Sequence, residues 1–185
     1  MVRRADQMDA TRERIIEATV HLHGTVGPAH TTVAGIAERA GVTRLTVYRH
    51  FPDEDTLFEA CTSHWRAQQR MPDVDAWMQI PGPVERVAAA LEDVYRFFSE
   101  AETMLTLTAR DREALPSFVH ERNRQVLNAQ TAAVLDAWPQ RQRTKLRRRL
   151  IGHALTFSTW RSLSREQGLT RRDAVAAMTR LVVEC

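Results

Sequence analysis

The 185-residue chain is 43% hydrophobic and 26% charged, with a formal charge of +3; this is ordinary globular composition, able to bury a core without disulfide staples. Two cysteines, Cys61 and Cys185, make no disulfide framework and point to a reducing cytoplasm. No apolar run at the N-terminus reads as a signal peptide, and none reaches the roughly 20 residues of a membrane span, so no membrane partner is expected.

The charge is compatible with nucleic acid without demanding it. Residues 1–55 carry Arg3, Arg4, Arg12, Arg14, Arg39, Arg44 and Arg49 against eight acidic residues. The densest basic run is elsewhere, at Arg141, Arg143, Lys145, Arg147, Arg148 and Arg149.

Nearly every periodic stretch repeats at three and four residues, which predicts an all-α fold of about nine helices. The first helix is expected after Thr11, with Ile15, Ala18, Thr19, Leu22 and Val26 on one face, ending at Gly27-Pro28. Thr32 caps a short second helix that breaks at Gly41, and Thr43 caps a third that stops at Phe51-Pro52. Asp53 caps a fourth, with Leu57, Phe58, Cys61 and Trp65 turned inward. Residues 71–82 read as a connection. Pro83 opens a helix facing in through Val84, Val87, Ala88, Leu91, Val94, Tyr95 and Phe98. A less regular helix covers about 102–112. Pro116 starts a long one through Trp138, and another runs from Gln140 to Glu166. Thr170 and Asp173 form a capping-box-like start to the last helix.

The stretch Thr31 to Phe51 has the spacing of a helix-turn-helix. Ile36, Ala37 and Ala40 face inward on its first helix, and Ala37 is small enough for a close crossing. Gly41 supplies the backbone freedom of the turn. Val42 and Val47 bury the second helix against the first. Its outward face then holds Arg44, Leu45, Thr46, Tyr48, Arg49 and His50, groups suited to base edges and phosphates. Thr32 and Thr43 bring hydroxyls and helix N-termini toward phosphate. The alternative is an ordinary helical hairpin with a solvated second helix.

Thr-Thr-Val-x-x-Ile-Ala-x-x-Ala-Gly-Val-Thr-x-x-Thr-Val-Tyr-x-His-Phe, followed by Leu57-Phe58, resembles the signature of the tetracycline-repressor (TetR) family over about residues 11–65. The resemblance implies a homodimer that gives three N-terminal helices of each subunit to a near-palindromic double-stranded DNA operator. It also implies a C-terminal helical domain that dimerises and binds a small organic effector. The domains expected are 1–55 for DNA and 56–185 for effector and dimer. By motif position, Thr32, Thr43, Arg44, Leu45, Thr46, Tyr48, Arg49 and His50 are the implied DNA contacts. One departure stands out: where the family often has a phosphate-binding lysine, three residues after Phe51, this chain has Glu54. A shallow salt dependence of DNA binding follows, with Arg3 and Arg4 available as a basic arm.

The helix expected over 140–166 has two apolar faces, one with Leu146, Leu150, His153, Phe157 and Trp160. The other holds Gly152, Leu155, Thr159 and Leu163; with Ala174, Met178, Leu181 and Val182 of the last helix it reads as a dimer interface, or else as one chain's own core. Phe97, Met104, Leu107, Arg110, Phe118, His120, Asn123, His153 and Trp160 mix apolar and polar groups as a ligand pocket requires. The basic run reads as a solvated face or a second nucleic-acid patch.

No Gly-rich phosphate loop or nucleophile motif is present, so neither enzyme activity nor a cofactor is expected. Cys61 and His64 stand three apart on one helix, but Cys61 falls on the apolar stripe and no metal site is expected. The rival functions are a helical enzyme and an interaction module without sequence-specific DNA binding. Repression is expected over activation, because a small dimer without a partner-recruiting segment acts most simply by occupying promoter DNA.

Overall fold

Eleven α-helices occur among the described residues, against the nine or so expected. The computed structural model describes the backbone from Val2 and the side chains from Gln7 onward, so the arm expected of Arg3 and Arg4 lies outside the described residues. The first seven helices are α1 (Val2–Thr25), α2 (Val33–Ala40), α3 (Arg44–His50), α4 (Glu54–Ala67), α5 (Val74–Met78), α6 (Pro83–Glu100) and α7 (Glu102–Arg110). The last four are α8 (Ser117–Leu135), α9 (Lys145–Ala154), α10 (Phe157–Arg161) and α11 (Arg171–Val183).

Two compact units form. The first runs through Arg70 and also takes in Glu102–Ser117, so it is larger than the 1–55 segment read from the sequence. Its helix α1 begins well before Thr11. The Thr11 hydroxyl does not cap; it donates to the Gln7 carbonyl one turn back at 2.8 Å, and no glycine or proline precedes Gly24 to stop the helix. Ile15, Ile16, Ala18, Thr19 and His23 are buried along α1, whereas Val26, expected inside, is 41% exposed. Ile15, Ile16 and Ala18 pack with Ile36, Ala37, Ala40, Val47, Phe51, Leu57 and Cys61.

The segment from 102 to 117 is tied to the same unit by polar bonds. Asp111 accepts from the Ala29 amide at 3.1 Å, and Arg110 Nη2 donates to the Val26 carbonyl at 2.7 Å. The Arg110 guanidinium hydrogen-bonds Asp111 and, with the Ala29 amide, holds its carboxyl down to about 2 against the opposing effect of desolvation.

The second unit comprises Met71–Ala101 and Phe118–Cys185. Two corrections account for its extra helices. The connection over 71–82 contains α5, whose Trp77 is buried and donates Nε1–H to Asp93 on α6 at 3.1 Å. The single helix expected over 140–166 is instead a 3-10 turn at Gln140–Gln142, then α9 and α10, then a π-helical turn at Ser162–Glu166. Hydroxyls divide it: Thr156 caps α10 by accepting from the Thr159 amide at 3.3 Å. Thr156 and Thr159 both donate to the His153 carbonyl, at 2.8 and 2.7 Å, offering the backbone an alternative to the continuous ladder.

The core of this unit joins Val87, Leu91, Val94 and Tyr95 of α6 to Val134, Ile151, Trp160, Ala174 and Val182. Of this unit's three buried arginines, Arg86, Arg96 and Arg147, two are spent on backbone carbonyls. Buried Arg86 donates to the carbonyls of Ile80 at 2.8 Å, Ala133 at 2.9 Å and Met78 at 3.0 Å, spending a cation on carbonyls at and just beyond helix C-termini. Arg147, also buried, donates to carbonyls of Gln142, Val182, Val183 and Cys185 and lies 5.2 Å from the Trp138 ring centroid. Arg143 bonds the carbonyls of Trp138 and Asp136, each at 2.7 Å. The basic run is therefore divided: Arg143 and Arg147 close helix ends, while Arg141, Lys145, Arg148 and Arg149 are exposed.

Candidate nucleic-acid interface

The turn between α2 and α3 is fixed by a left-handed glycine and two threonine caps. Gly41 has φ +65° and its amide returns to the carbonyls of Ala37 and Glu38, a conformation that costs a residue with a Cβ. Thr32 Oγ1 accepts from the Gly35 amide and Thr43 Oγ1 from the Thr46 amide, both at 3.1 Å. Each hydroxyl oxygen is thus spent on its own helix.

Helix α3 has one face anchored and the other bare. Val47 is 1% exposed and seated in the core; Leu45 and Tyr48, beside it in sequence, are 78% and 52% exposed. Arg44 and Arg49 are exposed, and Thr46 and His50 half-buried. A leucine this bare has no folding role at its position, so its apolar atoms are free for an apolar group such as a thymine methyl. His50 is held below the ordinary imidazole range, by partial burial first and then by the Arg49 and Arg12 guanidinium groups. That favours its neutral form, which has one donor and one acceptor.

Arg12 was not singled out from the sequence, yet its guanidinium carbon lies 4.8 Å from the centroid of Phe51, the residue that ends α3. The signal was there in the period: position 12 is three and four before Ile15 and Ile16, at the end of the buried stripe. Glu54 is exposed in the first turn of α4 beside the capping Asp53, where a carboxylate suits the helix dipole.

The residues read as a ligand pocket are divided between the units. Met104, Leu107 and Arg110 belong to the first, and Phe97, Phe118, His120, Asn123, His153 and Trp160 to the second. Arg110 is engaged with Asp111 and Val26. Trp160 is fully buried, stacked on Phe157 with ring centroids 5.4 Å apart, whereas Asn123 and His153 are exposed. His153 was read as a ligand contact on an apolar face; that face is instead turned outward, with Leu146, two turns earlier on α9, 58% exposed.

Of the residues read as a dimer interface, Leu155, Thr159, Ala174 and Val182 are each less than 7% exposed within the chain itself. Packing of α11 along α6 takes Ala174 and Val182 into the core, where Leu155 joins them, and Thr159 is buried on α10. Gly152, Leu163 and Met178 are half-buried, and Leu181 is 41% exposed.

Residues 15–61 match the family of bacterial regulatory proteins called the tetR family. The chain is similar to the nucleoid occlusion factor SlmA of Marinobacter nauticus, at 42% identity over 55 residues, covering 30% of this chain and 28% of that protein. It is also similar to the HTH-type transcriptional regulator TtgR of Pseudomonas putida, at 46% identity over 61 residues, covering 32% and 29% respectively. The matched stretch thus spans less than a third of these relatives' length. Along nearly the whole chain, the fold is similar to that of a TetR-like transcriptional regulator from Rhodococcus sp. RHA1, with a TM-score of 0.63 and 18% identity over 93% of each chain. A second TetR regulator of that organism gives 0.51 and 21% over 95% of each.

Proposed function

From a chain whose residues 15–61 belong to the tetR family of bacterial regulatory proteins, we propose a DNA-binding transcriptional repressor that acts as a homodimer and is released from its operator by a small organic effector. The observation that carries this reading is α3, anchored by Val47 while Leu45 and Tyr48 stand 78% and 52% exposed. In this reading α3 enters the major groove. Arg44 pairs with a base edge, Leu45 meets a thymine methyl, and Thr46 and His50 add shorter-range contacts. Thr32, Thr43, Tyr48 and Arg49 meet phosphates. The cap leaves the Thr32 O–H group as a donor, since its oxygen already accepts from the helix, while the Thr43 hydroxyl also shares a 2.9 Å hydrogen bond with that of Thr46. Arg12, held beside Phe51, supplies a phosphate contact that partly offsets the charge at Glu54.

The effector is read as an aromatic or amphipathic organic molecule. Support comes from the aromatic side chains of the second unit: Phe98 lies 5.9 Å from Phe97, 5.5 Å from Phe157 and 6.1 Å from Trp160, centroid to centroid. Two copies are required because paired reading helices match paired half-sites.

Fluorescence anisotropy of the full-length protein on duplex DNA from upstream of its own gene tests the phosphate assignments. Tyr48→Phe is expected to weaken binding to all sequences alike. Glu54→Lys is expected to steepen the slope of log K against log[salt] by about 0.9 per subunit. An unchanged slope in Glu54→Lys would remove Glu54 from the vicinity of the phosphates.

A further inference from the structure

On the side of the first unit where α1 meets α4, three ligand-type side chains converge. Glu13 and Glu17 stand one turn apart on α1, and His64 reaches them from α4. A donor atom from each lies within 4.8 Å of the other two. His64 Nδ1 is 2.9 Å from Glu13 Oε1, and its side chain is only 21% exposed. Its other ring nitrogen, Nε2, is 2.7 Å from the Gln68 amide. The imidazole is therefore held from behind with Nδ1 turned to Glu13.

The hydrogen bond from His64 Nδ1–H accounts for Glu13 but not for Glu17. Two carboxylates at i and i+4 repel when they turn toward one point, and among the described residues no ion pair engages Glu17. A divalent cation between them reverses the sign of that interaction. The donor set of one imidazole nitrogen and two carboxylate oxygens suits a borderline ion of the zinc class. Ligand atoms around a tetrahedral ion stand about 3.4 Å apart, which small rotamer changes reach from the present spacing. Gln68 completes the arrangement: with metal on Nδ1 the proton moves to Nε2, and the amide oxygen, after a flip, accepts it.

We infer that Glu13, Glu17 and His64 form a zinc-class divalent metal site that staples α1 to α4 in the helix-turn-helix unit. Three protein ligands leave a fourth position for water. The site departs from the expectation that this chain holds no metal, and it involves His64 without Cys61, which is 1% exposed in the core. It stands independently of the DNA-binding role.

The test is calorimetric titration of zinc chloride into chelator-stripped full-length protein, with thermal melts alongside. Wild type is expected to bind one zinc per chain with micromolar or tighter affinity. At a hundredfold excess over Kd, metal shifts the folding equilibrium about a hundredfold, read as a rise of several degrees in Tm. Glu17→Gln and His64→Ala should each weaken binding at least tenfold and abolish the rise, and Gln68→Leu should weaken it about tenfold. His120→Ala, in the other unit, should bind as wild type does. Circular dichroism confirms that each variant is folded; Glu17 is exposed, so Glu17→Gln keeps the test available if His64→Ala unfolds. No saturable zinc binding by wild type, or binding undiminished in Glu17→Gln, would overturn the assignment.

Discussion

At position 23 an imidazole sits where the period of α1 calls for an apolar side chain. Its Nδ1 is 3.7 Å from Cys61 Sγ, and its ring centroid is 4.9 Å from that of Phe58. Burial lowers it from 6.5 to about 4. The unfolded chain therefore takes up the proton first as pH falls. Stability is full above about 6.5 and lost progressively down to about 4, by up to about 3 kcal/mol. Urea unfolding at intervals across this window should show His23→Leu losing less stability than wild type between pH 6.5 and 4. Parallel losses in the two proteins would mean that His23 charges freely in the fold. Histidine sits on either side of the apolar boundary in sequence patterns, so neither the burial of His23 nor the exposure of His153 was legible before the packing was seen.

Element ends were legible wherever a local device sets them. Thr32, Thr43, Asp53 and Thr170 cap the helices assigned to them, because a cap is an exchange within four residues. The start of α1 and the division of 140–166 were not. Thr11 and Thr156 have the same side chain, yet one donates within a continuing helix and the other caps a new one; tertiary packing decides between them. The buried arginines were hidden for a related reason. Arg86 bonds Ala133, 47 residues away, a partner no periodicity reveals. Gly27 shows an element boundary under double constraint. It has φ +94°, and a Cβ there would collide with the side chains of Arg110 and Asp111. Gly27→Ala should therefore lower stability by about 2 kcal/mol or more. A loss below about 0.5 kcal/mol in chemical denaturation would show that the Arg110–Asp111 pair moves aside at little cost.

For the whole molecule, the helix-turn-helix motif identified the first unit from its sequence because nearly all its determinants are steric and local: a small Ala37, a left-handed Gly41, a buried Val47. The second unit offered only amphipathic period, which identifies a core without saying what lies beyond it. Three residues of the expected dimer face, Leu155, Ala174 and Val182, lie within that core. No helix among the described residues is long and apolar enough to cross a membrane. A repressor reading makes its strongest demand on α3, whose exposed face must carry sequence information and not merely charge. Selection of bound duplexes from a random pool by the full-length protein tests this most directly. The predicted outcome is an enriched near-palindrome with half-sites about one helical turn, or a multiple of it, apart. With Arg44→Ala, the preference at one position of each half-site should relax by about 1–3 kcal/mol and the other positions should persist. A wild-type protein that enriches no sequence, or an Arg44→Ala protein that enriches the same sequence just as strongly, would contradict it.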